Sequence, residues 1–323
     1  MRILIVKTSS LGDLFHALPT VHLLKQAYGA EIDWVVNTEY VGLAECFTDV
    51  RQVIPFPRRK PLANLGPFRE TLRAETYDLV VDLQGLLKSA LVCRMAKRSR
   101  GAKILGPSFQ REGARLFYTA VVGKKNKNRH AVEENLDVLR FLEKPQAPVE
   151  FPIRFPQVDF PCLQKKPVVV FAPCSRHAAK NWPAKRFVEL GEHLEVQIVL
   201  VGAPADADTC AKIENALPEG AAVNLCGKTS LLELGGVLQA ADLVVTVDSG
   251  PMHMASATGT PCLAIFGPTD PLRVGPYGPQ HRVLRNSSVQ NYSKQDLDSI
   301  KMVETIEVVK TAREMLNHET LGL

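Results

Sequence analysis

Apolar residues in this chain fall into short runs, separated by longer stretches where they recur at helical spacing. Ile3–Val6, Ile32–Val36, Tyr77–Leu83, Val168–Phe171, Val196–Val201, Leu243–Val247 and Cys262–Phe266 are such runs, rich in β-branched side chains. They read as buried strands. Val53–Pro57 and Val223–Leu225 are shorter extended segments. Between the first two runs, Ala17, Val21, Leu24 and Tyr28 share one helical face, and Gly29 ends that helix. The same reasoning predicts helices at Ala131–Leu142, Ala184–Leu194, Ala205–Leu217, Leu231–Ala240 and Met252–Thr258. Strands alternating with helices in both halves predict an α/β protein of two Rossmann-like domains facing each other across a cleft.

Length supports the division, because 323 residues exceed one ordinary core. Pro145, Pro148, Pro152, Pro156 and Pro161 punctuate a segment unsuited to regular helix or central strand. The domain boundary is therefore expected within Glu143–Lys166, giving domains 1–155 and 156–323. The last helix is expected to pack back on the first domain. Apolar content of 46% and charged content of 23% are ordinary globular usage. No apolar run approaches the length of a membrane span, and the opening segment reads as a strand and not a signal peptide. The seven cysteines are scattered and never spaced Cys-x-x-Cys, so reduced core thiols of a cytoplasmic protein are expected.

The net charge of +5 matters through its placement. Arg58, Arg59 and Lys60 follow an extended segment. Arg94, Lys97, Arg98, Arg100, Lys103 and Arg111 form a second basic stretch, and Lys124, Lys125, Lys127 and Arg129 a third. An anionic partner is expected. Nucleic acid is not, since no basic stripe with interleaved aromatics is present.

Chemistry is expected in the loops that follow strands, because open α/β sheets bind ligands at their carboxyl edge. The loop Lys7–Asp13 follows the first strand. It matches neither Gly-x-Gly-x-x-Gly nor a P-loop, so dinucleotide binding there is not expected. Asp13 suits either a first-turn acid facing a helix dipole or a functional carboxylate. In the second half, Arg176 and Lys180 offer a fork and a point charge to a diphosphate. Asp248-Ser249-Gly250-Pro251 opens a helix whose free N–H groups suit a phosphate. Two Asp-x-Asp triplets, Asp206–Asp208 and Asp296–Asp298, start helical segments and read as caps, so no metal site is expected.

Four blocks carry a resemblance: MRILIVKTSSLGD, VDLQGLLKSA, Lys180-Asn181-Trp182-Pro183, and VDSGPMHMASATGTPCLAIFGPTDP. They resemble the ADP-heptose:lipopolysaccharide heptosyltransferases of glycosyltransferase family 9, from Met1 to about Tyr277, and the first two blocks look most like the members that add the first heptose. The resemblance implies a GT-B fold, with the acceptor on the N-terminal domain and the nucleotide sugar on the C-terminal one. It implies an inverting transfer of heptose from ADP-heptose to the Kdo of a lipid A acceptor. The alternative is another member adding a later heptose or a different sugar.

Residue by residue, Asp13 matches the family's general base and Lys180 its essential lysine. Ser175, Arg176, Asp248, Ser249, Gly250, Pro251 and His253 fall in the donor-binding blocks. Ser10, Gly12, Arg58, Arg59 and Lys60 fall on the acceptor side. Cys174 departs from the family, which carries a hydroxyl there, whereas Ser175 keeps one. No cofactor is implied. A monomer in the cytoplasm, peripheral on the inner face of the cytoplasmic membrane, is expected.

Overall fold

The segment Arg2–Val6 forms β1, in which Ile3, Leu4, Ile5 and Val6 have no exposed surface. A parallel strand covered on both faces needs this unbroken apolar sequence. The computed structural model describes residues 1–58, 61–126, 128–145, 147–286 and 298–320. The chain divides into two compact units, Met1–Arg154 and Phe155–Leu323.

The first unit adds β2 (Glu31–Asn37), β3 (Val50–Phe56), β4 (Tyr77–Asp82), β5 (Arg98–Pro107) and β6 (Ala120–Val122). The second holds β7 (Val168–Ala172), β8 (Gln197–Leu200), β9 (Ala222–Asn224), β10 (Leu243–Val247), β11 (Cys262–Phe266) and β12 (Arg282–Arg285). All pairings within these sheets are parallel. Their orders are β3-β2-β1-β4-β5-β6 and β12-β11-β10-β7-β8-β9. Both are the doubly wound order in which the chain first travels one way from its initial strand and then the other. The reversal lies between β1 and β4 in one unit and between β7 and β10 in the other. Ligands of open α/β sheets bind outside the carboxyl ends at such a point.

Local chemistry explains the elements flanking these points. The helix Leu11–Tyr28 ends at Gly29, whose φ of 55° is left-handed, and Gly250–Thr258 ends the same way at Gly259 with φ 79°. Glycine adopts that conformation without a Cβ penalty. Pro55 is tolerated in β3 because that strand is at the sheet edge. One expectation needs adjustment. The single helix at Ala131–Leu142 is instead two short ones, Ala131–Asn135 and Asp137–Phe141. The proline-rich segment begins as part of the first unit: Thr48 N donates to Pro152 O at 2.9 Å, and Phe47 pairs with Ile153.

In the second unit Trp182 is buried, donates its indole N–H to Val303 O at 3.0 Å, and meets Phe187 edge to face. This anchor fixes where the loop after β7 enters the helix Ala184–His193. The last helix, Thr305–Thr320, contributes Val308, Val309 and Ala312 to the core of this same unit. The Asp206 carboxylate accepts from Ala203 N at 2.8 Å, the capping role expected of it. Asp298 pairs with Lys301, while Asp296 lies outside the described residues.

Candidate active site

The reversal between β1 and β4 is stitched together by backbone and side-chain contacts. Gln84, just past β4, directs one amide oxygen at the loop after β1. That oxygen accepts from Thr8 N at 3.0 Å, Ser9 N at 3.0 Å and Thr8 Oγ1 at 3.3 Å. Lys7 is buried and donates to Leu83 O at 2.9 Å. The turn carrying Gln84 is itself held by Asp82. Its carboxylate accepts from Gln84 N at 2.7 Å, Gly85 N at 3.0 Å, Ser89 Oγ at 2.7 Å and the Tyr118 hydroxyl at 2.7 Å. Burial pushes the Asp82 carboxyl up, against the pull of those four donors.

The loop so held delivers Asp13 into the first turn of the helix Leu11–Tyr28. One Asp13 oxygen accepts from Ser10 N at 2.9 Å and Ser10 Oγ at 2.8 Å. Burial pushes this carboxyl up. The Lys7 charge, the Ser10 hydrogen bonds and the charge of His16 outweigh it and hold the group at about 2. Asp13 is therefore an ionised, half-buried carboxylate at neutral pH, and its second oxygen takes no part in the Ser10 bonds.

Arg58 lies past the end of β3, exposed and paired with Glu39 at 3.1 Å. It helps line a cavity of about 1,080 Å³ with Thr38, Asn64, Phe68 and Thr71. Arg59 and Lys60 lie outside the described residues.

The reversal between β7 and β10 is bridged by an ion pair. Lys180 Nζ meets Asp248 Oδ2 at 2.6 Å, and the Thr269 hydroxyl donates to the same oxygen at 2.6 Å. The loop leading to Lys180 is pinned by Ser175 N donating to Asn181 Oδ1 at 2.7 Å. Arg176 on that loop is exposed. Ser249 is the N-cap of the helix Gly250–Thr258, with Pro251 in its first turn. The Thr246 hydroxyl lies 3.2 Å from Ser249 Oγ and donates to Ala172 O across the strands. His253 sits one turn into the helix, partly exposed. A lysine, an arginine and a helix N-terminus thus converge at one sheet edge, an arrangement suited to a diphosphate. Among the described residues, no group of three or more His, Cys, Asp or Glu is placed to hold a metal ion.

Residues 66–303 match the model of glycosyltransferase family 9 (heptosyltransferase). The chain is 35% identical over 306 residues to lipopolysaccharide heptosyltransferase 1 of Escherichia coli K12, covering 88% of this chain and 93% of that protein. The solved structure of E. coli heptosyltransferase WaaC with ADP superposes with a TM-score of 0.80 at 30% identity, covering 98% of this chain and 100% of that one. The same enzyme with ADP-2-deoxy-2-fluoro heptose gives 0.77 at 29% identity, covering 97% and 99%. Two doubly wound units of this kind make up the GT-B fold of glycosyltransferases. The chain belongs to glycosyltransferase family 9, the heptosyltransferases.

Sequence reasoning singled out Asp13, Lys180 and Asp248 but gave no role to Lys7, Gln84, Asn181 or Thr269. Gln84 sat inside a recognised block, and that was its only signal. Its geometry predicts a positioning role. Gln84→Ala removes three contacts of about 1 kcal/mol each at most and is expected to lower kcat for transfer about tenfold or more while ADP affinity holds. Gln84→Glu keeps an acceptor oxygen and should recover most of the rate. Steady-state kinetics of both variants check this; equal loss in the two would leave Gln84 a merely structural residue.

Proposed function

We propose that this enzyme transfers heptose from ADP-heptose to the Kdo of the lipopolysaccharide inner core, with inversion at the anomeric carbon. The observation that carries the reading is the Lys180–Asp248 bridge across the β7/β10 reversal, at the N-terminus of Gly250–Thr258. On this reading the second unit holds the nucleotide sugar. Arg176 and Lys180 meet the diphosphate, helped by the free helix N–H groups at Ser249 and Gly250 and by the His253 side chain one turn into the helix, and Ser175 offers its hydroxyl. The first unit holds the acceptor through Ser10, Gly12, Arg58, Arg59 and Lys60. The ionised Asp13 takes the proton of the attacking hydroxyl as the new glycosidic bond forms and the bond to ADP breaks. Charge building on ADP is met by Lys180 and the helix dipole, so no metal or other cofactor is required.

The test is mass spectrometry of the product after incubation with ADP-heptose and Kdo-terminated lipid A, with and without EDTA. One added heptose in both arms is expected. A product formed only on an acceptor that already bears heptose would replace this reading with a later step. Loss of product in EDTA would remove the metal-free mechanism.

We further infer that the enzyme works as a monomer at the inner face of the cytoplasmic membrane. Among the described residues no helix is long and apolar enough to cross a bilayer. The basic first unit would instead contribute about 1 kcal/mol per cation near an anionic surface. Binding to anionic vesicles at low salt, released at high salt, is the expected result. Binding indifferent to salt would overturn it.

A further inference from the structure

The basic stretch Arg94–Lys103 is not used by the chemistry above. It lies at the amino edge of the first sheet, where the helix Leu87–Met95 ends and β5 begins. There Tyr77 of β4 pairs with Arg98, but the next pair along the ladder is Leu79 with Lys103. One residue on β4 thus faces four on β5, and residues 99–102 bulge out of the ladder. Gly101, with φ 82°, supplies the left-handed conformation the bulge needs. The bulge walls a cavity of about 450 Å³ that is also lined by Arg73, Arg94, Lys97, Arg98 and Thr119.

Two of these cations have local work. Arg98 donates to the carbonyls of Cys93, Arg94 and Ala96 at 2.9, 3.0 and 3.0 Å, and Arg73 donates to Met95 O at 3.3 Å. They cap the C-terminal end of Leu87–Met95. The side chains of Arg94 and Lys97 have no part in that capping, and both residues are exposed. Among the described residues, none of the four pairs with a carboxylate. The acids on the neighbouring strand approaches are engaged elsewhere: Glu75 pairs with Arg2 and Arg51, and Asp78 accepts from Arg2 N and interacts with Ser99. A helix C-terminus offers only about half a negative charge, too little to balance four cations. Burial, and then the charges of Arg94 and Arg73, pull the Arg98 guanidinium down. Thr119 Oγ1 accepts from Ile104 N at 3.0 Å and keeps its own proton to donate.

We propose that this cavity is a second anion site, built for a phosphate-bearing ligand. It stands at the opposite edge of the sheet from Asp13, separated by the length of β4, about 16 Å at ~3.3 Å per residue. Guanidinium forks and an ammonium are the groups that hold phosphate oxygens. The phosphate has two possible sources, a free phosphate compound or a lipid headgroup, and the recognition chemistry is the same for both.

The test is the double variant Arg94→Gln, Lys97→Gln, which keeps the capping of Leu87–Met95 by Arg73 and Arg98. Inorganic pyrophosphate is titrated into wild type and variant by calorimetry. In parallel, both are sedimented with phosphatidylcholine vesicles containing phosphatidic acid. Any anion binding at the other sheet edges is common to the two proteins and cancels. A tenfold or greater weakening of pyrophosphate binding in the variant supports the site with a free phosphate ligand. A tenfold loss confined to vesicle binding supports it with a lipid headgroup. Equal binding by wild type and variant in both arms overturns it.

Discussion

Asp13→Asn is expected to lower the rate of transfer by about 10²–10⁴-fold, the usual cost of losing a general base. The second unit should be untouched, so ADP affinity measured by calorimetry should stay at the wild-type level. Stability should fall as well. The Asp13 carboxyl is held at about 2 against an ordinary 3.8, which corresponds to about 2 kcal/mol of folding free energy at neutral pH. The sign follows from the direction: a depressed carboxyl stabilises the fold above its unfolded value, and that contribution fades as pH falls toward 2. Asn keeps an acceptor for Ser10 N but no charge for Lys7. Tm is therefore expected to drop by about 4–8 °C, at ~2–4 °C per kcal/mol for a chain of this class, while the variant stays folded at 25 °C. A transfer rate within fivefold of wild type would reduce Asp13 to a capping residue.

The low value has a kinetic consequence. A carboxylate held at about 2 is a poor base toward a resting alcohol. It becomes a competent acceptor only as the new C–O bond forms and the hydroxyl proton turns strongly acidic. Proton transfer is then late, and no loss of kcat/KM from Asp13 titration should be seen above about pH 4. Lys7→Met removes the largest force holding the carboxyl down, so the acid limb of the pH–rate profile should move upward. An unmoved limb would separate Lys7 from the base.

How much of this was legible in the sequence follows from burial. β1, β2, β4, β7, β10 and β11 are largely buried, so their mainly apolar runs marked them, even though Asp33 lies within β2 and Asp78 within β4. β5 was invisible as a strand because its first residues, Arg98-Ser99-Arg100-Gly101-Ala102-Lys103, are a polar bulge and not an apolar run. β6 has only three residues, and β12 pairs on one side with exposed Arg282 and Val283. Asp13, Lys180 and Asp248 were legible because each stands just past a strand, where doubly wound sheets bind ligands. Gln84 and Thr269 act across long sequence separations, 76 residues from Gln84 to Thr8 and 21 from Thr269 to Asp248. No local spacing encodes such contacts; they exist only once β1 lies beside β4 and β10 beside β11.

Lys180→Ala is expected to lower kcat by about 10²-fold or more while ADP binding weakens only a few-fold. The reason lies in the pair it makes. The Lys180 ammonium is held 2.6 Å from Asp248 Oδ2, so engaging a resting diphosphate draws it from an existing partner. Little net binding is gained in the ground state. As the bond to the sugar breaks, charge accumulates on ADP and the balance tips toward the leaving group. An interaction that strengthens only then appears in kcat and not in affinity. Thr269 favours this shift, because its hydroxyl donates to the same carboxylate oxygen at 2.6 Å and is a second partner for Asp248 beside Lys180. Removing Lys180 leaves Asp248 buried with that one donor, so the variant should also melt earlier. The double variant Lys180→Ala, Asp248→Asn should regain thermal stability without regaining rate. Lys180→Arg keeps the charge and should restore part of kcat. If kcat and ADP affinity fall by the same factor in Lys180→Ala, the lysine binds the nucleotide throughout and the exchange between Asp248 and the leaving group does not occur.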